Sequence, residues 1–330
     1  MLSPSIERFH NRHSLGTTVL AILVSVAILL AGPPSLSLSA AICFTAVLLI
    51  GLPHGGLDHL AGRELLGRLG LPQSAILFGL CYLAISLCVI AAWFFSPAIT
   101  VYAFFALSAW HFGLEEETAH RKGLLGTLSM FARGGMIIWI TCLAHRDSVV
   151  ELLHSTVPGE SAVELDWVLN LWTSLLPIWV ALVLYDCVAW PALSLQTRKS
   201  TWLAAIRWRS LLRYLALALL MIVADPLISF TLYFCGWHSI RGLAELSQDS
   251  NLPLKNFCLQ LLPISLLAIG LFCVGWLWST TILGWVGASI QTTFIGLSAV
   301  AIPHLLLHVL MRLVPKQNHA VQSWTSGATL

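Results

Sequence analysis

The sequence predicts an all-α, polytopic transmembrane helical bundle of about eight to ten spans. Three observations carry this expectation. The 330-residue chain is 58% hydrophobic and only 10% charged, where an ordinary soluble protein carries about 25% charged residues. Its mean hydropathy is +0.85. Its apolar residues also fall in continuous runs, whereas a transmembrane strand alternates apolar and polar positions. In lipid every backbone polar group has to be satisfied within the protein, and a continuous apolar run satisfies its own groups only as a helix.

A spanning helix takes roughly 20 apolar residues. Such runs lie near residues 15–33, 36–53, 73–95, 98–112, 124–144 and 167–190. Two shorter ones, near 211–224 and 226–239, are divided at Asp225-Pro226, where proline breaks or kinks a helix. A last pair lies near 257–279 and 284–311. Residues 15–33 have the length of a signal peptide, but further spans follow and no small-residue cleavage site stands out, so they are read as the first span. The whole chain, 1–330, reads as one membrane domain with an N-terminal polar segment of about 1–14 and a polar tail of about 313–330.

Ten spans put the basic residues on one side. Arg8, Arg12, Arg63, Arg68, Arg121 and Lys122 share it with the cluster from Arg198 to Arg213, with Arg241 and Lys255, and with Arg312 and Lys316. The segment 145–166 on the other side sets Arg146 against Asp147, Glu151, Glu160, Glu164 and Asp166. The positive-inside rule then places both termini in the cytoplasm, with the chain in a cell inner membrane. A net charge of +2, with no basic stripe interleaved with aromatics, excludes nucleic acid as a partner. The eight cysteines include no CxxC pair and read as small buried apolar side chains. The 14 tryptophans suit interfacial belts.

The histidines carry the chemical signal. Of twelve, His10, His13, His120, His145, His154 and His319 fall in terminal or loop segments and are expected to be solvated. The other six sit at span ends. His54 and His59 lie in "GLPHGGLDH", His111 in "SAWHFG", His238 in "YFCGWHSIRG", and His304 and His308 in "IPHLLLH". They come from four even-numbered spans and so approach one membrane face. Histidine at that depth is costly unless it is paired, hydrated in a cavity or metal-bound, and neutral imidazole is the commonest ligand for iron, copper and zinc. The pattern predicts a metal site. His304 and His308, four residues apart, share a helix face, which suits two ligands or one ligand with a supporting group. Arg133 and Asp186 are polar groups in or near spans, read as pocket residues or as snorkelling and helix-pairing ones. No phosphate-binding loop, dinucleotide fingerprint or G-x-S-x-G is present.

At these residues the chain resembles the Brp/Blh family of membrane β-carotene 15,15'-dioxygenases. The matching pieces are "GLPHGGLD" (51–58), "HFG" (111–113), "DPLISFTLYFCGWHS" (225–239) and "IQTTFIGLSAVAIPH" (290–304). The resemblance implies a helical membrane enzyme with non-haem Fe(2+). Such an enzyme splits the central double bond of β-carotene with O2 into two retinal molecules. By motif it implies His54, His111 and His238 as ligands. The family's fourth histidine follows the third by four residues; here that position is Gly242, which has no side chain to ligate. Three readings follow. Another histidine completes the site, His308 first, with His304 and His59 as runners-up. Alternatively three histidines suffice, with water in the open position. Or iron is lost and the chain is a non-catalytic carotenoid-binding, retinal-binding or rhodopsin-assembly protein.

Asp58 and Glu245 are the carboxylates expected to accept an N–H from a ligating imidazole. Phe104, Phe105, Trp110, Phe234 and Trp237 are expected to line a path for the carotenoid from the lipid bilayer. A lipid oxygenase or desaturase ranks last, because only His304 and His308 have desaturase-box spacing.

Overall fold

The computed structural model describes residues 4–115, 123–156, 162–189, 208–250 and 252–314. All regular elements among them are helical. The first helix, α1 (Pro4–Ala31), starts about three turns before the first apolar run. Next come α2 (Leu36–Ala46), a π turn (Val47–Gly51) and a 3-10 turn (Leu52–Gly55). α3 (Asp58–Arg68), α4 (Ala75–Phe95), α5 (Pro97–Glu115), α6 (Leu124–Ala144) and α7 (Arg146–Thr156) follow. α8 (Ala162–Ser174) and α9 (Leu176–Leu184) lead into a second π turn (Tyr185–Ala189). α10 (Trp208–Val223) precedes α11 (Pro226–Thr231), a π segment (Leu232–Ser239) and α12 (Ile240–Asp249). The chain ends with α13 (Leu254–Gln291), a π turn (Thr292–Gly296) and α14 (Leu297–Leu313).

Among the described residues six helical stretches are long and apolar enough to cross a membrane, and the last runs from Lys255 to Leu313. That stretch is two helices. Gly284, at φ 67° and ψ 173°, takes a conformation that side chains avoid. Trp276 Nε1 donates to Ser289 Oγ at 3.0 Å, and Ser279 Oγ donates to Gln291 Oε1 at 2.6 Å. In a straight helix residues 12 or 13 apart stand about 18–20 Å apart, so the chain doubles back at Gly284. The division falls where the apolar pattern set it.

Asp225 is the second divider. Its carboxylate accepts from the backbone N–H of Leu227 and Ile228, and its other oxygen accepts from Ser39 on α2 at 3.0 Å. An N-cap followed by proline at the first helical position starts a helix and ends the one before.

Apolar side chains on α1, α4 and α13 face outward, including Leu30, Ile76, Phe95, Val274 and Ile282. Such exposed area identifies a lipid-facing surface. The interior is ordered by small residues. A Cβ on Gly134 would lie 2.0 Å from the Ala109 carbonyl oxygen, and one on Gly113 would lie 2.1 Å from that of Met130. Backbones of α5 and α6 therefore touch, as small residues allow in membranes. Beside this crossing Phe131, Trp139, Trp172 and Trp179 stack, with Trp139 and Trp179 parallel at 4.5 Å. All eight cysteines are free thiols; Cys43, Cys142, Cys187 and Cys235 are buried.

Two expectations are corrected here. His10 and His13 do not sit in solvent. α1 extends to Pro4 and lays its polar first turns against the 226–249 helix. His10 is buried and pairs with Glu245 at 3.2 Å, and His13 Nε2 meets the Gly236 carbonyl at 2.9 Å. His120 and His319 lie outside the described residues, as does the side chain of Asp186.

Candidate metal centre

His54 stands on the 3-10 turn that closes the α2 segment. The preceding π turn and Pro53 swing the chain off the helix axis at this point. Its Nδ1–H donates to the carbonyl of Gly51, which sets the tautomer and turns Nε2 inward. Gly51 lets Phe234 lie close: a Cβ there would be 2.7 Å from the Phe234 ring. Gly56 does the same for α13, because a Cβ would meet Ser265 Oγ at 2.8 Å. The glycines of "GLPHGGLD" thus clear space for two neighbouring helices.

His111 lies in the last turns of α5, two residues before Gly113, so the close α5–α6 crossing sets its position. His238 is 2% exposed and projects from the π segment. π turns insert a residue into a helix and are enriched at functional sites; here such turns lie in or just before the segments carrying His54 and His238. His304 is buried on α14, after Pro303.

The four imidazoles close a ring. Centroids are 5.1 Å apart from His54 to His238, 5.0 Å from His238 to His111, 5.6 Å from His111 to His304 and 5.1 Å from His304 to His54. Neighbouring planes stand at 71–87°. His54, His111 and His304 form one donor set, with their ligand nitrogens within 4.8 Å of one another. Metal–imidazole bonds of about 2.1 Å allow donor atoms up to roughly 4.2 Å apart, so small side-chain rotations complete the set. Uncharged nitrogen donors converging from four helical segments fit a redox-active divalent metal.

Asp58 supports this ring through His304. The His304 Nδ1–H donates to the Asp58 carboxylate at 2.8 and 2.9 Å, which leaves Nε2 facing the other imidazoles. Tyr82 of α4 donates to the Val300 carbonyl at 2.7 Å and lies 3.4 Å from the same carboxylate. Asp58→Asn is expected to lower metal affinity about 10–100-fold with the chain still folded, as read by metal titration of the purified protein.

The other candidates lie elsewhere. His308 is exposed, with its ring 4.5 Å from that of His304, and it groups with Asp58 and His304. His59 belongs to neither donor group among the described residues. Glu245, expected to orient a ligand, instead faces His10. Gly242 faces the site: a Cβ there would meet only His54 Cδ2, at 3.7 Å. Gly242→Ala is therefore expected to keep metal content and to raise stability by about 0.5–1 kcal/mol, measured as a thermal shift in detergent.

An aromatic wall borders the ring. Phe234 stacks on His238 at 5.5 Å and meets His54 edge-on at 5.9 Å. Phe112 lies 4.9 Å from His238, and Phe230 and Phe294 continue the wall away from it. Of the aromatics expected along the carotenoid path, Phe234 is at the ring. Phe105 belongs with Trp172, and Trp237 lies against Arg213 and Arg241. Phe112, Phe230 and Phe294 were not singled out in the sequence, although Phe112 directly follows His111.

The family model described as beta-carotene 15,15'-dioxygenase matches residues 45–312. A beta-carotene 15,15'-dioxygenase from an uncultured marine bacterium, 66A03, is 27% identical over 272 residues, covering 79% of this chain and 90% of that protein. The probable beta-carotene 15,15'-dioxygenase Blh of Halobacterium salinarum is 25% identical over 261 residues, covering 70% and 72%. No solved structure matches the chain significantly. With the family match extending from the end of α2 to the last turn of α14, this chain belongs to the β-carotene 15,15'-dioxygenase family.

Proposed function

We propose that this protein cleaves the 15,15' double bond of β-carotene with O2, yielding two molecules of retinal, at an iron held by His54, His111, His238 and His304. The observation that carries the reading is the closed ring of four imidazoles at the family's motif positions. His304 supplies from α14 the nitrogen that Gly242 lacks.

When bound, ferrous iron on neutral imidazoles supplies O2 activation through its remaining coordination positions. The chain's own residues do the rest. Asp58 holds His304 in one tautomer and orientation. The Gly51 carbonyl does the same for His54. Phe112, Phe230 and Phe234 present an apolar face on which a rigid polyene can lie beside the ring and from which water is excluded. A site within a lipid-facing bundle takes its substrate and returns retinal directly through the bilayer, where a rhodopsin could collect it. The metal end is assigned to the cytoplasmic side of a cell inner membrane, with both termini there, because the arginines gather at that end.

The test is expression in a bacterial host that accumulates β-carotene, with retinal and remaining carotenoid quantified by chromatography. Retinal is expected to form as β-carotene declines, with about one iron per chain after purification. Folded, iron-loaded protein that leaves β-carotene intact would sink the reading and favour carotenoid binding without cleavage.

A further inference from the structure

His304 belongs to two donor groups. Besides the ring, Asp58, His304 and His308 place one ligand atom each within 4.8 Å of one another. His304 and His308 stand one turn apart on α14, with ring centroids 4.5 Å apart, and Asp58 opens α3. This second group runs from the surface inward. His308 is exposed, whereas Asp58 and His304 are buried.

Two imidazoles and a carboxylate with one face open are a donor set for zinc, which takes three such ligands and water in a tetrahedron. Calcium and magnesium prefer oxygen donors. The space between the donors is close to what zinc needs. His304 Nδ1 lies 2.8 and 2.9 Å from the two Asp58 oxygens. Bonds of about 2.0–2.2 Å in a tetrahedral shell set neighbouring donors roughly 3.4 Å apart, so the pair has to open by only about half an ångström. Gly55 leaves room beside it, because an added Cβ would lie 3.5 Å from Asp58 Oδ2 and 3.7 Å from His304 Nδ1.

We infer that Asp58, His304 and His308 form an outer zinc site that competes with the imidazole ring for His304. A neutral imidazole has one N–H and one nitrogen lone pair to offer a metal. With the proton on Nδ1 and held by Asp58, Nε2 serves the ring. Zinc taken up on the outside binds Nδ1 instead, and the proton then sits on Nε2, with no net gain or loss of protons. His304 is thereby withdrawn, and the ring is left with three imidazoles. Excess zinc then weakens iron binding, with the exposed His308 as the residue that admits it. The outer site stands on its own geometry, while the competition rests on the ring being the iron site.

The test uses the full chain in mild detergent with Zn2+ as the probe, read by calorimetry and by elemental analysis after desalting. In excess zinc the unaltered chain is expected to hold one ion more than its His308→Ala form. A chain carrying both His111→Ala and His238→Ala keeps the outer group intact and should still bind about one zinc. Adding His308→Ala to that chain should weaken this binding at least about tenfold, whereas adding His154→Ala, on α7, should not. Equal zinc content in the unaltered and His308→Ala chains overturns the site, whether or not the double variant folds. A folded double variant that binds no zinc overturns it as well. Zinc supplied before iron should lower iron uptake at least about threefold in the unaltered chain, and His308→Ala should restore it. An equal loss of iron in both chains would place zinc in the ring itself and overturn the competition. Zinc content is measured without iron or carotenoid, so failure here and failure of the iron reading are separate results.

Discussion

His304→Ala is expected to empty the metal centre and abolish retinal formation, whereas His308→Ala leaves both close to the starting level. The reason is geometric. His304 lies 5.1 Å from His54 and 5.6 Å from His111, centroid to centroid, and it shares a donor set with both of them. His308 is exposed and touches the ring through His304. Loss of a group that merely supports a ligand costs about 10–100-fold in affinity; loss of the ligand itself should cost more, leaving iron below about a tenth of a chain equivalent. The substitution also leaves the Asp58 carboxylate buried without its imidazole, a change that destabilises buried pairs by roughly 3–5 kcal/mol. His304→Gln, which retains a donor towards Asp58, separates the two effects: folding should recover while iron does not. Elemental analysis with size-exclusion chromatography reads both. Iron retained in His304→Ala but lost in His308→Ala would reverse the assignment.

The second large effect lies away from any ligand. Gly134→Val is expected to prevent folding, or to destabilise the bundle by more than about 3 kcal/mol. A Cβ at 134 would stand 2.0 Å from the Ala109 carbonyl oxygen and 2.2 Å from the Gly113 nitrogen. Both obstacles are backbone, so no side chain can rotate away. The only relief is to part α5 from α6, which moves His111 out of the ring and removes its nitrogen from the donor set. Gly270→Ala on lipid-facing α13, where a Cβ meets nothing within 4 Å, is the matched control and should be neutral. Thermal unfolding in detergent and retinal yield check the pair. A Gly134→Val protein with unaltered melting and activity would show that the crossing can open without cost.

Much of this architecture is legible along the chain. Hydropathy marks helices because the bilayer imposes one rule on every span, and a span answers it locally. Asp225-Pro226 and Gly284 announce their breaks because capping and positive φ are properties of single residues. The histidine-bearing motifs stand out because imidazole is expensive in an apolar run. The polar residues before His13 gave no such signal. Their helix forms because α1 packs against 226–249, and the apolar pattern does not report a helix held by His10 and His13.

Choosing among the spare histidines was a different problem. His304 and His308 share a face of α14 and the same local chemistry, so spacing could not rank them. The ranking depends on how α14 is rotated and how deep it sits against α3, α4 and α5. Tyr82, Trp93 and Arg68 set that placement through bonds to Val300, Ser298 and the last carbonyls of α14. The same holds for Asp58, which supports His304 rather than its near neighbour His54. Spans, breaks and the choice of imidazole are one-dimensional facts, written residue by residue in the cost of burying polar groups. Which nitrogens face one another depends on helix rotation and depth, and those follow from contacts between residues more than 200 positions apart.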